Sequence, residues 1–239
     1  MTGGTEPDRR AELLASLEQL RARIGTACES VGRDPAELRL IAVTKGFPVS
    51  DIVLLSEFGQ HDVGENRDQE ARRKIAALLA VSAPDLDVRW HFVGRLQQNK
   101  CRSVASYATM VHSVDRPQLV AGLAAGAHHA GRRLGVFVQV SLDSDTRRGG
   151  ALVDDVIMLA DQVALTPELD LLGVMAIAPM DADPDTAFAG LQDVSWQVQA
   201  RHPDATSISA GMSGDLEAAI RQGATHLRVG SALLGRRSP

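Results

Sequence analysis

The chain has 239 residues, of which 44% are hydrophobic and 23% charged, and its formal net charge is -5 at pH 7. This length and composition are typical of one globular β/α barrel, so we expect a single domain over residues 1–239. The acidic balance excludes the basic field that nucleic-acid binding needs, and no basic amphipathic or long apolar segment indicates contact with a membrane.

Short apolar runs alternate with segments of helical period along the chain. After a first helix at 8–31, strands are predicted at 39–44, 62–65, 89–93, 110–113, 135–142, 171–177, 206–210 and 226–229. Helices are predicted between them at 49–59, 67–80, 96–106, 116–130, 151–165, 184–200 and 214–222. This alternation is typical of parallel βαβ units, and the absence of a long linker favours a closed eight-stranded β/α barrel.

Lysines are rare in this chain, and in a β/α barrel the chemistry lies where strands end. Of the 25 Lys+Arg residues, the lysines are Lys45, Lys74 and Lys100. Lys45 closes the first strand in IAVTKGFPVS, where a partly desolvated amine is shifted towards the neutral form that makes an imine with an aldehyde. A solvated strand-end lysine is the alternative. Lys74, beside Arg72 and Arg73, is interpreted as part of a solvated helix face, and the role of Lys100 stays open.

Two glycine-containing turns near the C-terminus predict a phosphate site. The segments SISAGMSGDLEAAI (207–220) and HLRVGSALLG (226–235) both have the pattern of strand, turn and helix start. Ser213 takes an N-cap position, and backbone N–H groups can approach an anion at Gly211, Gly214, Gly230 and Ser231. β/α barrels frequently bind phosphate after strands seven and eight. Glycines kept only for tight connections are the alternative.

Arg228 lies inside an apolar strand, shortly before the second turn. A buried charge there must be paired or bound to a ligand. If it points inward, it can donate to a ring nitrogen near the phosphate. Because arginine keeps its proton, a pyridine nitrogen would stay unprotonated and the ring would be a weaker electron sink. A structural ion pair with Glu65 is the alternative.

The remaining polar residues predict neither a metal site nor catalysis. His91 could act as a base, but beside Trp90 and Phe92 we interpret it as a packed strand-end histidine. Cys28 and Cys101 have no metal-ligand spacing, which indicates reduced thiols. The first residues, MTGGTEPDRR, lack the apolar run of a signal peptide, so we expect a cytoplasmic protein.

Seven further stretches have to be taken together, and they are AVTKGFPVSDI (42–52), VGENRDQE (63–70), HFVGRLQQNK (91–100), QVSLDSDTRRGG (139–150), GVMAIAP (173–179), SAGMSGDLEAAI (209–220) and RVGSALLG (228–235). In these stretches the sequence resembles the pyridoxal phosphate homeostasis proteins, whose barrel is similar to the N-terminal domain of alanine racemase. The resemblance covers about residues 20–237 and implies an α/β fold of the alanine racemase N-terminal-domain type, to which the helix predicted at 8–31 adds an extra N-terminal helix. It also implies pyridoxal 5'-phosphate as the cofactor.

The resemblance implies roles for particular residues. Lys45 would hold the cofactor as an imine, and Arg228 would face the pyridine nitrogen. Residues of the two C-terminal turns would hold the phosphate, namely Ser213, Gly230 and Ser231. Three further residues would line the cofactor, namely Asn66, Ser209 and Met212.

Five positions depart from the family pattern. Phenylalanine, tyrosine, asparagine, methionine and threonine are usual at the positions of Val63, Arg67, Ser141, Ala210 and Ser231. Ser231 keeps both an N–H and a hydroxyl, so phosphate binding is expected to survive. Arg67 and Ala210 leave the surroundings of the cofactor open.

The sequence favours a carrier over an enzyme. Alanine racemase uses a lysine and a tyrosine from a second domain as its two bases, whereas this chain ends eight residues after Ser231 and has Tyr107 as its only tyrosine. We therefore expect a monomeric protein without catalytic residues that holds pyridoxal phosphate and delivers it to apo-enzymes. The alternatives are a weak amino-acid racemase or other pyridoxal phosphate enzyme, and a cofactor-free Schiff-base barrel enzyme acting on a phosphosugar.

Overall fold

The computed structural model describes residues 6–80, 86–145 and 149–236. Its strands pair in parallel and in chain order, and the first strand closes against the last. They are β1 (Arg39–Val43), β2 (Asp62–Glu65), β3 (Arg89–Phe92), β4 (Met110–Val114), β5 (Leu134–Gln139), β6 (Leu169–Met175), β7 (Ser207–Ser209) and β8 (His226–Val229). The predicted closed eight-stranded barrel is confirmed.

One helix precedes the barrel, and the others follow its strands. They are α1 (Glu6–Glu29), α2 (Val49–Glu57), α3 (Asp68–Ala80), α4 (Cys101–Tyr107), α5 (Pro117–His129), α6 (Val153–Ala164), α7 (Pro184–Arg201), α8 (Leu216–Arg221) and α9 (Ser231–Leu234). Within the described ranges, no helix is long and apolar enough to cross a bilayer.

The extra helix predicted before the barrel is α1, which packs against α8 and α9. Its buried face contains Leu13, Leu17, Leu20 and Ile24. These residues recur at intervals of three and four, which places them on one side of a helix with 3.6 residues per turn. The first helix therefore packs beside the segment that follows β8.

The structure explains three of the differences from the predicted helices. Helix α4 starts later than expected because Gln98–Lys100 forms a separate 3-10 turn before it. Helix α6 also starts later, because Ala151 pairs with Val140 as an extension of the sheet. The short helix α9 was not predicted separately from the last turn. Residues 146–148 of the motif at 139–150 lie outside the described part of the chain.

The inside of the barrel is unusually polar. β/α barrels are commonly filled by layers of branched apolar side chains. Here Phe137 from β5 stacks on His112 with ring centroids 4.5 Å apart and meets His226 edge-on at 5.0 Å. Arg228 and Ser209 are buried beside this cluster. The interior thus carries polar groups towards the C-terminal end of the barrel, where the strands end.

A β-bulge distorts the pairing of β5 with β6. Val136 pairs with Leu171 and Phe137 with Gly173, so Leu172 is the additional residue. Gly173 has φ 148°, and a Cβ atom there would lie 1.9 Å from the carbonyl oxygen of Ser207. The bulge therefore requires glycine at this position.

We expect Gly173→Ala to lower the free energy of unfolding by at least ~2 kcal/mol, because β7 would have to move away from β6. Urea unfolding followed by circular dichroism measures this change. The matched control is Gly190→Ala in α7, where a Cβ meets no atom within 4 Å. Because alanine has a higher helix propensity than glycine, this change should raise the free energy of unfolding by ~0.5–1 kcal/mol. Equal unfolding midpoints for the two variants would contradict this account.

Candidate functional site

A cavity of about 650 Å³ opens at the C-terminal end of the barrel. It brings together seven of the eight residues predicted to bind the cofactor, and these are Lys45, Asn66, Met212, Ser213, Arg228, Gly230 and Ser231. They follow β1 and β2, lie on β8, or occupy the loops after β7 and β8. Residues far apart in the sequence meet here because parallel strands all end at the same face of a barrel.

Lys45 is the lysine of this cavity. It follows Thr44 at the end of β1, and its side chain is half-buried. Among the described residues it has no hydrogen-bond acceptor and no ion-pair partner. Its amine is therefore available to a ligand in the cavity.

The backbone on both sides of Lys45 is held by a second lysine. Lys74 Nζ donates to the carbonyl oxygen of Thr44 at 2.8 Å, to Glu65 Oε1 at 2.6 Å and to Glu70 Oε1 at 2.8 Å. Gly46 donates its N–H to the same oxygen of Glu70 at 2.5 Å. The interpretation of Lys74 as part of a solvated helix face was wrong, because this side chain is buried and organises the loop.

The two carboxylates of this cluster are shifted in opposite directions. Burial raises the pKa of Glu65 above its usual value, although Lys74 and Thr44 donate hydrogen bonds to it. Burial also acts on Glu70, but hydrogen bonds from Lys74 and Gly46 outweigh it and lower the pKa. Oε2 of Glu65 has no partner among the described residues, so this side chain depends on Lys74 for its charge balance.

The two C-terminal turns form one surface of the cavity. Helix α8 begins at Leu216 with Asp215 at its N-cap, so the predicted N-cap position of Ser213 was wrong. Ser213 Oγ instead accepts the N–H of Ala232 at 3.1 Å and thereby links the two turns. Within the described residues, no acceptor is bound by the backbone N–H groups of Gly214, Gly230 and Ser231.

The glycines of these turns have different functions. A Cβ atom on Gly214 would meet no atom within 4 Å, so this turn leaves open space beside its backbone. Gly211 has φ 88°, and a Cβ there would lie 2.7 Å from Cβ of Ala219. Gly211 does not line the cavity. Because it has no Cβ, the turn can pack closely against α8.

Arg228 provides a positive charge at the base of the cavity. Its Nη1 donates to Ser209 Oγ at 2.7 Å, and its Nη2 donates to the carbonyl oxygen of Ala176 at 2.8 Å. Burial lowers the pKa of Arg228 to about 10, so the guanidinium stays charged at neutral pH. The alternative of an ion pair with Glu65 is contradicted, because Glu65 binds Lys74.

Ser209 and Ala210 do not line the cavity. Ser209 is fully buried at the end of β7 and contacts Arg228 from below. Ala210 is buried as well. Arg67 and Lys100 line a neighbouring groove, in which Lys100 Nζ lies 4.0 Å from Asp68 Oδ2. Direct contact with a ligand in the cavity is therefore expected of Arg228 and not of Ser209.

Two residues that line the cavity were not predicted from the sequence. Ile177 lies two residues after β6, and Gly94 lies two residues after β3. A Cβ on Gly94 would be 2.2 Å from the carbonyl oxygen of Asn66, so this glycine lets the two loops approach each other. Both residues follow strands, and applying the strand-end rule to every strand would have found them.

The sole tyrosine does not reach the cavity. Tyr107 ends α4 and is largely buried, and its hydroxyl has no partner among the described residues. Burial raises the pKa of this hydroxyl above its usual value. It is absent from the lining of the cavity, so the second base of a racemase is not supplied by this residue.

Comparisons with known proteins agree with this geometry. Residues 15–238 match the family model described as the alanine racemase N-terminal domain. A pyridoxal phosphate homeostasis protein of Mycobacterium tuberculosis is 44% identical, and the match covers 97% of this chain and 95% of that protein. The corresponding protein of Corynebacterium glutamicum is 40% identical over 91% of this chain and 99% of its own length.

A solved structure shares the fold and has a ligand. PipY of Synechococcus elongatus PCC7942, solved with PLP bound, is 32% identical to this chain and superimposes with a TM-score of 0.81. The match covers 93% of this chain and 100% of that chain.

We expect Lys74→Met to lower the free energy of unfolding by about 3–5 kcal/mol near pH 7, because it leaves Glu65 as an unpaired buried charge. The loss should be smaller near pH 5. Without Lys74, the already raised pKa of Glu65 rises further, and a carboxyl whose folded-state pKa is raised stabilises below its unfolded pKa and loses this effect as the pH rises. Urea unfolding at both pH values, each against the wild type, measures the difference.

Two variants control this measurement. The exposed Lys100→Met should change stability by less than ~1 kcal/mol at either pH. Glu65→Gln combined with Lys74→Met should remove most of the additional pH dependence, because no buried carboxyl is left to take up a proton. A loss for Lys74→Met that is the same at both pH values would refute the assignment to Glu65.

Proposed function

This chain belongs to the pyridoxal phosphate homeostasis protein family, and we propose that it binds pyridoxal 5'-phosphate in the cavity at the end of its barrel, with Lys45 as the amine that forms an imine with it. One observation carries the proposal. A lysine and two turns with N–H groups that have no partner among the described residues converge with a buried arginine on one cavity of about 650 Å³.

The residues fit the chemical groups of this cofactor. The free N–H groups of Gly214, Gly230 and Ser231 suit the phosphate, because backbone donors at turns hold anions. Arg228 suits the pyridine nitrogen as a donor, and Lys45 suits the aldehyde. The cavity volume lies within the ~300–1,000 Å³ of sites for small molecules. PipY, the solved relative with PLP bound, supports pyridoxal phosphate as the ligand.

The residues support holding the cofactor more than turning over a substrate. When bound, pyridoxal phosphate supplies a reactive aldehyde and an electron-withdrawing ring. Arg228 keeps its proton and so leaves the ring nitrogen unprotonated, which weakens electron withdrawal. Tyr107 lies outside the cavity and leaves a racemase without its second base. The protein acts as a monomeric cytoplasmic carrier in this proposal, formed by one domain, and it delivers the cofactor to apo-enzymes.

We expect the purified protein mixed with pyridoxal phosphate to show an imine absorption band near ~420 nm. Lys45→Ala should abolish the band because neither Lys74 nor Lys100 is among the described residues that line the cavity. Borohydride reduction followed by peptide mass spectrometry should place the pyridoxyl adduct on Lys45. Lys100→Ala is the matched control and should keep both band and adduct. A wild-type protein with neither would end the proposal, and an adduct on Lys74 or Lys100 would refute the role of Lys45.

We expect pyridoxal, which lacks the phosphate, to bind at least ~10-fold more weakly than pyridoxal phosphate, because several N–H groups would lose a charged acceptor. Titration followed by the imine band gives both dissociation constants. Ser231→Ala removes the hydroxyl but keeps the N–H, so it should weaken binding of pyridoxal phosphate less than loss of the phosphate does. Equal affinity for the two ligands would refute the phosphate site at the C-terminal turns.

A further inference from the structure

A row of buried polar side chains crosses the barrel beneath the cavity. It consists of Asp62 on β2, His91 on β3, His112 on β4 and Ser209 on β7, and it ends at Arg228 on β8. None of the first four lines the cavity. Asp62 is the first residue of its strand and Ser209 the last of its strand, so the row runs from the N-terminal end of the barrel towards the C-terminal end.

Consecutive members of the row are all within hydrogen-bonding distance. Asp62 Oδ1 lies 2.8 Å from His91 Nε2, and His91 Nδ1 lies 3.0 Å from His112 Nε2. His112 Nδ1 lies 2.8 Å from Ser209 Oγ, which accepts from Arg228 Nη1 at 2.7 Å. We name these five residues the interior chain.

The chemistry of its two ends determines the direction of the interior chain. Arg228 can only donate, and an ionised Asp62 can only accept. With neutral histidines, Ser209 therefore donates to His112 Nδ1, His112 Nε2 donates to His91 Nδ1, and His91 Nε2 donates to Asp62. This arrangement satisfies every bond with one proton on each imidazole. The opposite direction would need an additional proton on His91.

The surroundings support neutral histidines. Burial lowers the pKa of His91 and of His112, and neighbouring positive charge from Arg228 lowers that of His112 further. The ring of His226 lies edge-on to His112 with centroids 6.1 Å apart, and burial lowers the pKa of His226 to about 3. Phe137 stacks on His112 and adds no charge.

Asp62, at the end of the interior chain opposite to Arg228, is ionised. Burial disfavours the charge of Asp62, but hydrogen bonds from His91 and Arg89 outweigh it and hold the pKa well below its usual value. Arg89 Nη2 lies 2.7 Å from Asp62 Oδ2, and Arg39 Nη1 lies 3.2 Å from Oδ1. Asp62 lines a groove at the end of the barrel opposite to the cavity.

We propose that Asp62, His91, His112 and Ser209 are positioning residues for Arg228: they form a one-directional hydrogen-bond chain that orients the guanidinium towards the cavity and links it to a carboxylate at the opposite end of the barrel. A buried charge needs compensation, and polarised hydrogen bonds in a chain strengthen one another. Arg228 has five N–H donors, and two of them are bound to Ser209 and Ala176. The other three have no acceptor within the described part of the chain, and Arg228 lines the cavity. Only the identity of the ligand facing Arg228 rests on the proposed function.

The first experiment uses the protein without any cofactor. Long-range ¹H–¹⁵N correlation spectra of the histidine-labelled chain should show His91 and His112 as neutral Nε2–H tautomers between about pH 6 and 8. Ser209→Ala should shift the Nδ1 resonance of His112, which loses its donor, and to a smaller extent that of His91. An Nδ1–H tautomer at either residue, or a doubly protonated His91, would overturn the proposal.

The second experiment measures how a change at one end of the interior chain affects a ligand in the cavity. Asp62→Asn lies far from the ligand, yet it should displace the absorption band of bound pyridoxal phosphate and weaken binding roughly 3- to 10-fold. The matched control is Asp161→Asn, because Asp161 also accepts from an arginine and a histidine, Arg201 and His202, but at the outer surface. The control should change neither property. Wild-type behaviour of Asp62→Asn would overturn the proposal.

The two experiments separate two kinds of failure. If the wild type forms no imine, the proposed function fails while the tautomers of His91 and His112 still decide whether the interior chain exists. If the imine forms but the tautomers differ from those expected, the interior chain fails and the proposed function stands. Thermal unfolding of Asp62→Asn and Asp161→Asn checks that both variants are folded at the temperature used.

Discussion

The burial of the Arg228 guanidinium is the constraint on which the rest of the barrel depends. Among the described residues it has no carboxylate in contact, and a charge in this position is costly without compensation. Compensation comes from the carbonyl oxygen of Ala176 and the hydroxyl of Ser209. Because Ser209 must accept from arginine, its own proton needs another acceptor, and His112 provides it. One buried cation thus explains why the interior is polar where apolar layers are usual.

A separate cluster leaves Lys45 free for a ligand. Glu65 accepts a hydrogen bond from Thr44 and Glu70 accepts one from Gly46, and these two donors flank Lys45 in the sequence. Lys74 binds both carboxylates, and Gly46 adds a backbone donor to Glu70. The two lysines therefore divide their functions: Lys74 balances the acids and holds the loop, while the amine of Lys45 in the cavity has no partner among the described residues. Lys74 is buried beside the two carboxylates, as this division requires.

The sequence predicted the elements and the cavity because both follow from local patterns. Apolar runs located the strands, and the strand-end rule located Lys45 and the turns that contain Ser213 and Gly230. The prediction from the sequence was wrong for Lys74, since RRK in a polar helix has the pattern of a solvated face. The burial of Lys74 depends on where β2 lies. The interior chain had no local signal either, because His112 and Ser209 are 97 residues apart and meet only in the closed barrel.

The position of Asp62 bears on whether such a barrel holds its ligand or transforms it. A carboxylate in contact with a pyridine nitrogen would stabilise the protonated ring and strengthen its electron withdrawal. Here the carboxylate is separated from Arg228 by two neutral imidazoles and a hydroxyl. The carboxylate fixes the direction of the hydrogen bonds that lead to the guanidinium, but it offers no proton to the cavity. This arrangement orients the guanidinium but does not protonate the ring nitrogen. It therefore favours reversible binding of a reactive aldehyde over carbanion chemistry.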